Sequence, residues 1–227
     1  MRRVTATSTE QPVVTWALIA VNVAVYLITV AQGPGINNPG GSLFLKWALY
    51  GPAVANGDWW RLITAAFLHA NILHLGLNML ALVWLGAPVE RYLGHLQYLA
   101  LYLVSGLAGS AGALIATPTS VTVGASGAIF GILGALLIIE YQATGNIAGQ
   151  AFTLIVINLL FSFTVSGISV GGHIGGLLGG IAAALALTRF GRTRLVYGRP
   201  GLAGVAALLG VGLLSILVSY WKVRGYA

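Results

Sequence analysis

Three short stretches of this sequence carry side chains able to do chemistry in an otherwise apolar chain. They are HANILHLGLNML with His69, His74 and Asn78, GASGAIFG with Ser126, and GGHIGGLLGG with His173. A serine hydroxyl is a weak nucleophile until a base takes its proton, and a neutral imidazole suits that task near pH 7. The oxyanion formed on attack needs hydrogen-bond donors already in place. His74 and Asn78 are four residues apart, share one helix face and are candidate side-chain donors, whereas His69 and His74, five apart, do not stack on a helix. The glycines around Ser126 free its backbone N–H to join them, and the positive end of a helix opening there adds to the field. Ser126 as nucleophile, His173 as base, and His74, Asn78 and the Ser126 N–H as oxyanion donors fill every role in acyl transfer.

The elements that must position these groups are membrane helices. Of 227 residues, 58% are hydrophobic and 7% charged, against roughly 25% charged in a soluble domain. A stretch of about 20 apolar residues crosses the hydrocarbon core. The first such run begins at Val13 and reads as a retained helix rather than a signal peptide, because its polar leader is long and no small-x-small site follows. Six further spans are expected at about 69–87, 96–116, 126–143, 148–165, 172–189 and 201–221. Residues 33–68, with LFLKWALY and the pair Trp59 and Trp60, read as an interfacial loop. The expected organisation is a cytoplasmic tail (1–12), a membrane core (13–189), a basic cytoplasmic loop (190–200), and a seventh helix with its tail (201–227).

Glycine spacing suggests how distant spans bring their polar residues together. Gly127 and Gly131 flatten one face of the fourth span, and Gly172, Gly176 and Gly180 one face of the sixth, with Gly171, Gly175 and Gly179 beside them. Backbones that approach this closely bring Ser126 and His173 within hydrogen-bond reach.

The formal charge of +7 arises from 11 Lys and Arg against 4 Asp and Glu. These basic residues are spread among loops, no soluble domain is left to hold nucleic acid, and they serve as topology markers. With the N-terminus cytoplasmic, that side collects Arg2, Arg3, Arg91, Arg189, Arg192, Arg194 and Arg199, and the other side Lys46, Arg61, Lys222 and Arg224. The seventh span then leaves the C-terminus outside, and the expected location is a prokaryotic plasma membrane. With no cysteine there is no disulfide or thiolate site. Asp58 is the sole aspartate, which excludes a two-aspartate membrane protease, and neither HExxH nor a phosphate-binding loop is present. No metal or cofactor is implied.

The set WWRLITAAFLH, HLGLNM, GAPVERYLG, GASGAIFG and GGHIGGLLGG, in that order, resembles the rhomboid family of intramembrane serine proteases. The resemblance implies an all-α polytopic fold with a six-helix core, here with an extra C-terminal helix. It implies a Ser126–His173 dyad without a carboxylate, and an oxyanion site from His74, Asn78 and the Ser126 N–H. Trp60 and Arg61 are structural in the pattern, and Glu90 and Arg91 fit a structural turn after the second helix. Many bacterial members stack a tyrosine on the base one turn after the serine; here that place is Phe130, which keeps the ring without the hydroxyl. The implied partners are the lipid bilayer and transmembrane protein substrates, cut next to a small residue where the helix unwinds. The fifth helix, FTLIVINLLFSF, and the following SGISVG are expected to form a lateral gate and cap. His95 reads as structural. Two other classes compete: a transporter, for which only Glu140 offers a coupling charge, and a non-catalytic relative that binds transmembrane segments.

Overall fold

The structure is a computed structural model and describes residues 11–189 and 201–227. The N-terminal tail with Arg2 and Arg3, and the basic loop with Arg192, Arg194 and Arg199, lie outside the described residues. The first span, α1 (Val13–Gln32), buries one stripe of Thr15, Leu18, Asn22, Val25, Tyr26 and Thr29, and turns the rest outward as a lipid-facing surface. Residues 33–68 contain three short helices, α2 (Gly41–Trp47), α3 (Gly51–Ala55) and α4 (Arg61–Thr64), none long enough to cross a bilayer. Arg61 organises this region. Its Nε and Nη2 donate to Asp58 Oδ2 at 2.9 and 2.8 Å, and its Nη1 to the carbonyls of Leu45 and Ala48 at 2.7 Å each. Trp60 Nε1 donates to the Lys46 carbonyl, so the Trp-Arg pair is structural.

The second span is continuous from Ile72 to Leu93, longer than the expected 69–87. It comprises α5 (Ile72–Ala81), a π-type stretch at Leu82–Gly86 and α6 (Ala87–Leu93). Pro88 lacks the N–H that would bond four residues back, and the widened turn just before it lets the helix continue. Glu90 and Arg91 therefore lie within the helix, not in a turn after it. The buried Glu90 carboxylate accepts from the N–H groups of Val14 and Thr15 at 2.8 Å each and from Thr15 Oγ1 at 2.7 Å, which caps the start of α1. His95 Nδ1 lies 2.6 Å from Glu90 Oε1, adding the start of the third span, α7 (His95–Ala116), to the same knot.

Three spans form the centre: α7, α8 (Ser126–Thr144) and α10 (Val170–Arg189). Between α8 and α10 lies α9 (Gln150–Thr164), and α11 (Leu202–Val223) ends the chain. Among the described residues, six helices are long and apolar enough to cross a membrane. The expected span at 148–165 is the exception: α9 has 15 residues, about 22 Å of helix against a hydrocarbon core of about 30 Å.

Glycines set the spacing at the centre. A Cβ on Gly176 would strike the Gly127 carbonyl, and one on Gly180 the backbone of Gly131, so α10 lies directly on α8. The neighbouring glycines face the other way: Gly171 and Gly175 meet Gly112 and the Ala108 carbonyl of α7, and Gly179 meets the Ala108 side chain. Gly176 and Gly180 thus serve α8, and Gly171, Gly175 and Gly179 serve α7, while Gly172, expected on the first face, turns toward Ser169 and Ala113. On the outer side of α7 packs α11, and its end reaches the first loop, where Val223 joins Leu49, Val54 and Leu62 in one cluster.

A methyl group at Gly176 has no room, whereas one at Gly210 in α11 meets nothing within 4 Å. Gly176→Ala is expected to destabilise the protein by about 1–3 kcal/mol, the cost of overpacking. Gly210→Ala leaves stability unchanged or raises it, and thermal unfolding of both in the same detergent checks the contrast.

Candidate active site

Ser126 is the first residue of α8 and His173 lies in the first turn of α10. The backbone before Ser126 is fastened to the first loop by paired hydrogen bonds between Leu49 and Thr122, and by the Gly124 N–H to the Ala65 carbonyl at 2.9 Å. Ser169 starts α10, its Oγ accepting from the Gly172 N–H and its carbonyl from the His173 N–H. With both helix starts fixed, and Gly127 seated on Gly176 below them, His173 Nε2 comes to 2.8 Å from Ser126 Oγ. The Phe130 ring stacks on the imidazole, centroids 4.1 Å apart and planes 20° from parallel.

His74 and Asn78 come to the same place from α5, and both line the cavity that contains Ser126 and His173. Asn71 caps this helix, its Oδ1 accepting from the His74 N–H at 2.8 Å. His74 Nδ1 accepts from the Ala70 N–H at 3.4 Å, which leaves the ring proton on Nε2. That edge faces the serine loop: a Cβ on Gly124 would lie 2.7 Å from His74 Nε2 and 3.8 Å from Ser126 Oγ. Gly124 has φ +124°, so both its conformation and the histidine against it require glycine. One amide hydrogen of Asn78 goes to the His74 carbonyl at 2.8 Å, and the second remains for a ligand.

His69 departs from the helical expectation. Because α5 begins only at Ile72, His69 stands before the helix and its ring meets His74 edge to face at 5.0 Å. It is completely buried. That burial, with His74 beside it, pushes its imidazole down to about 3, so it is uncharged at neutral pH.

The cavity has a volume of about 550 Å³ and lies between α5 and α9 under residues 165–169. One residue absent from the sequence candidates stands out. Ser162 of α9 is buried with Oγ 2.7 Å from His173 Nδ1; one serine in an apolar helix gave no local signal of this tertiary contact. Glu140 is no free charge: its carboxylate accepts from the N–H groups of Gln150 and Ala151 at 2.9 Å each and caps α9. No group of three or more His, Cys, Asp or Glu that would hold a metal occurs among the described residues.

The family model for the Rhomboid domain matches residues 56–190. The chain is 39% identical over 214 residues to the Rhomboid protease GluP of Bacillus subtilis (strain 168), covering 90% of this chain and 40% of that protein. It is 39% identical over 137 residues to the Putative rhomboid protease YdcA of the same organism, covering 58% of this chain and 68% of YdcA. Rhomboid-like protease 3 of Toxoplasma gondii is 29% identical over 176 residues, 74% of this chain and 66% of that protein. The chain thus spans well under half of GluP and about two thirds of the other two.

Stacking is a property of the ring and not of a hydroxyl, and an aromatic contact is worth about 0.5–1.5 kcal/mol beyond burial. Phe130→Tyr is therefore expected to keep the reactivity of Ser126 toward a fluorophosphonate, and Phe130→Ala to lower it about tenfold, as read from labelling rates on folded protein.

Proposed function

Because this chain belongs to the rhomboid family, we propose that it is an intramembrane serine endopeptidase acting on transmembrane segments of other proteins. The observation that carries this reading is the 2.8 Å contact between Ser126 Oγ and His173 Nε2, made between two helix starts at a cavity that both residues line. Ser126 Oγ attacks the substrate carbonyl carbon as its proton passes to His173 Nε2. The carbonyl oxygen becomes an oxyanion held by His74 Nε2–H, the second Asn78 amide hydrogen and the Ser126 N–H at the α8 terminus. Collapse breaks the C–N bond, and the departing amine takes the proton from His173. Water then attacks the acyl-enzyme, gives a proton to His173, and releases the acid as Ser126 regains its hydrogen. Among the described residues, the side-chain partners of His173 are two serines, Ser126 and Ser162.

An intact substrate helix hides its peptide bonds within its own hydrogen bonds, so the segment must unwind to reach Ser126. Entry is assigned to the side between the second span and α9, where the cavity is lined by Leu77 of α5, Leu85 of the π-type stretch after it, and Asn158 and Phe161 of α9. The shortness of α9 supports this, since a helix below membrane thickness leaves a thinner wall there. Residues 165–169 act as the cap.

The chain has a six-plus-one topology, with a six-helix core from 13 to 189 and α11 added outside α7. The N-terminus is cytoplasmic, and the site opens on the opposite side, where the first loop and the C-terminal end of α11 meet. Arg61 is consumed by Asp58 and two carbonyls, which strengthens the asymmetry of the remaining basic residues toward the cytoplasm. The membrane is a prokaryotic plasma membrane. The transporter reading loses its one coupling charge, because Glu140 is committed to capping α9.

Cleavage of a transmembrane substrate by protein reconstituted in liposomes tests the proposal. Ser126→Ala and His173→Ala are each expected to abolish turnover, with the double variant no worse, since members of one catalytic unit are not additive. Asn78→Ala is expected to lower kcat by up to about a hundredfold, the loss of one of several oxyanion donors. The protein has no cysteine, so a Leu77→Cys/Phe161→Cys pair joined by a bifunctional reagent addresses the gate alone. Joined protein is expected to lose cleavage of the membrane substrate, and undiminished cleavage would place entry elsewhere.

A further inference from the structure

The second nitrogen of the base has a partner of its own, and that partner's hydrogen bonds fix where the imidazole proton sits. His173 Nδ1 is 2.7 Å from Ser162 Oγ, and Ser162 Oγ is also 2.6 Å from the Asn158 carbonyl oxygen one turn back on α9. A serine hydroxyl has one hydrogen, and a carbonyl oxygen can only accept. Two oxygens held 2.6 Å apart require that hydrogen between them, so Ser162 donates to Asn158. Its oxygen is then left to accept, and the only hydrogen available to it from His173 is one on Nδ1. The proton on Nδ1 leaves Nε2 with its lone pair toward Ser126 Oγ at 2.8 Å. The opposite tautomer would put a hydrogen on Nε2 and deprive Ser126 of its base.

We propose that Ser162 is a positioning residue that holds His173 in the tautomer able to take the Ser126 proton. This rests on the reading of Ser126 and His173 as nucleophile and base. Ser162 Oγ accepts from Nδ1–H before the reaction and continues to accept from the imidazolium once Nε2 is protonated. It fills, with a neutral oxygen, the orienting place that a carboxylate fills in a three-residue arrangement. A neutral acceptor suits the site, because Ser162 and His173 are both buried and an unpaired charge there would be costly. The helix that bears Ser162 is secured at its other end by Glu140, whose carboxylate holds the Gln150 and Ala151 N–H groups. Those contacts hold the start of α9, and the Ser162–His173 contact joins its last turn to the catalytic pair.

Two measurements test the assignment. The first reads the tautomer in the Ser126→Ala background, where no catalysis is needed. Long-range ¹H–¹⁵N correlation on histidine-labelled protein, with His173 assigned by its loss in His173→Ala, is expected to show the proton on Nδ1. Adding Ser162→Ala is expected to move it to Nε2, and Ser162→Thr, which keeps the oxygen, to return it to Nδ1. The second is the fluorophosphonate reaction rate with Ser126 present. Ser162→Ala is expected to slow it about tenfold, and Ser162→Thr to recover it to within about threefold, the scale of one orienting hydrogen bond. A proton on Nε2 while Ser162 is intact, or a Ser162→Ala variant with unchanged tautomer and rate, overturns the proposal. Wild-type protein that never reacts, combined with the Nδ1 result, fails the protease reading and supports the assignment of Ser162.

Discussion

The backbone of α10 rests on the backbones of α7 and α8 because no side chain stands between them. Gly127 against Gly176 and Gly131 against Gly180 bring one face down on α8, while Gly171 and Gly175 against Gly112 do the same on α7. In lipid there is no hydrophobic force to drive helices together, and such contacts hold by dispersion between closely fitted surfaces. Everything at the site follows from that approach. Ser126 and His173 are 47 residues apart in sequence and sit on the first turns of two helices whose separation the glycines set.

Four polar side chains of this apolar chain are spent on helix starts. Glu90 closes the start of α1, Asn71 the start of α5, Glu140 the start of α9 and Ser169 the start of α10. A helix start has backbone N–H groups without intrahelical partners, and satisfying them inside the protein is the cheapest use of a carboxylate or amide near lipid. Arg61 does the complementary work for carbonyls in the first loop. Other polar side chains, such as Asn22, Thr188 and Ser215, donate to a carbonyl one turn back in their own helix, whereas Ser126, His173, His74 and Asn78 converge on the cavity.

Much of this was legible in the sequence, and the reasons differ by residue. The fourfold glycine spacing of the sixth span states its own packing face, and the Ser126–His173 contact followed from it. Gly112 of the third span, the partner of Gly171 and Gly175, carries no such signal, because a single glycine does not mark a face as a longer series does. The second span runs past the expected end at 87 to Leu93, because the N–H that Pro88 lacks is absorbed by a π-type turn that no local pattern announces. Helical spacing says nothing about His69, which precedes the helix. Ser162 was invisible because its meaning lies wholly in a contact between α9 and α10. The fifth helix, Gln150–Thr164, is shorter than the expected 148–165, since the small and apolar residues at its ends resemble helix in composition.

The proposed activity rests on Ser126 being the one activated serine, brought to His173 by helix packing and served by that base. The most direct measurement is mass-spectrometric mapping of the adduct formed when the folded wild-type protein is treated with a fluorophosphonate. A single adduct on the peptide that contains Ser126, with Ser162, Ser166 and Ser169 unmodified, is the result this account predicts. An adduct on any of those other serines, or none on protein shown to be folded, would contradict it.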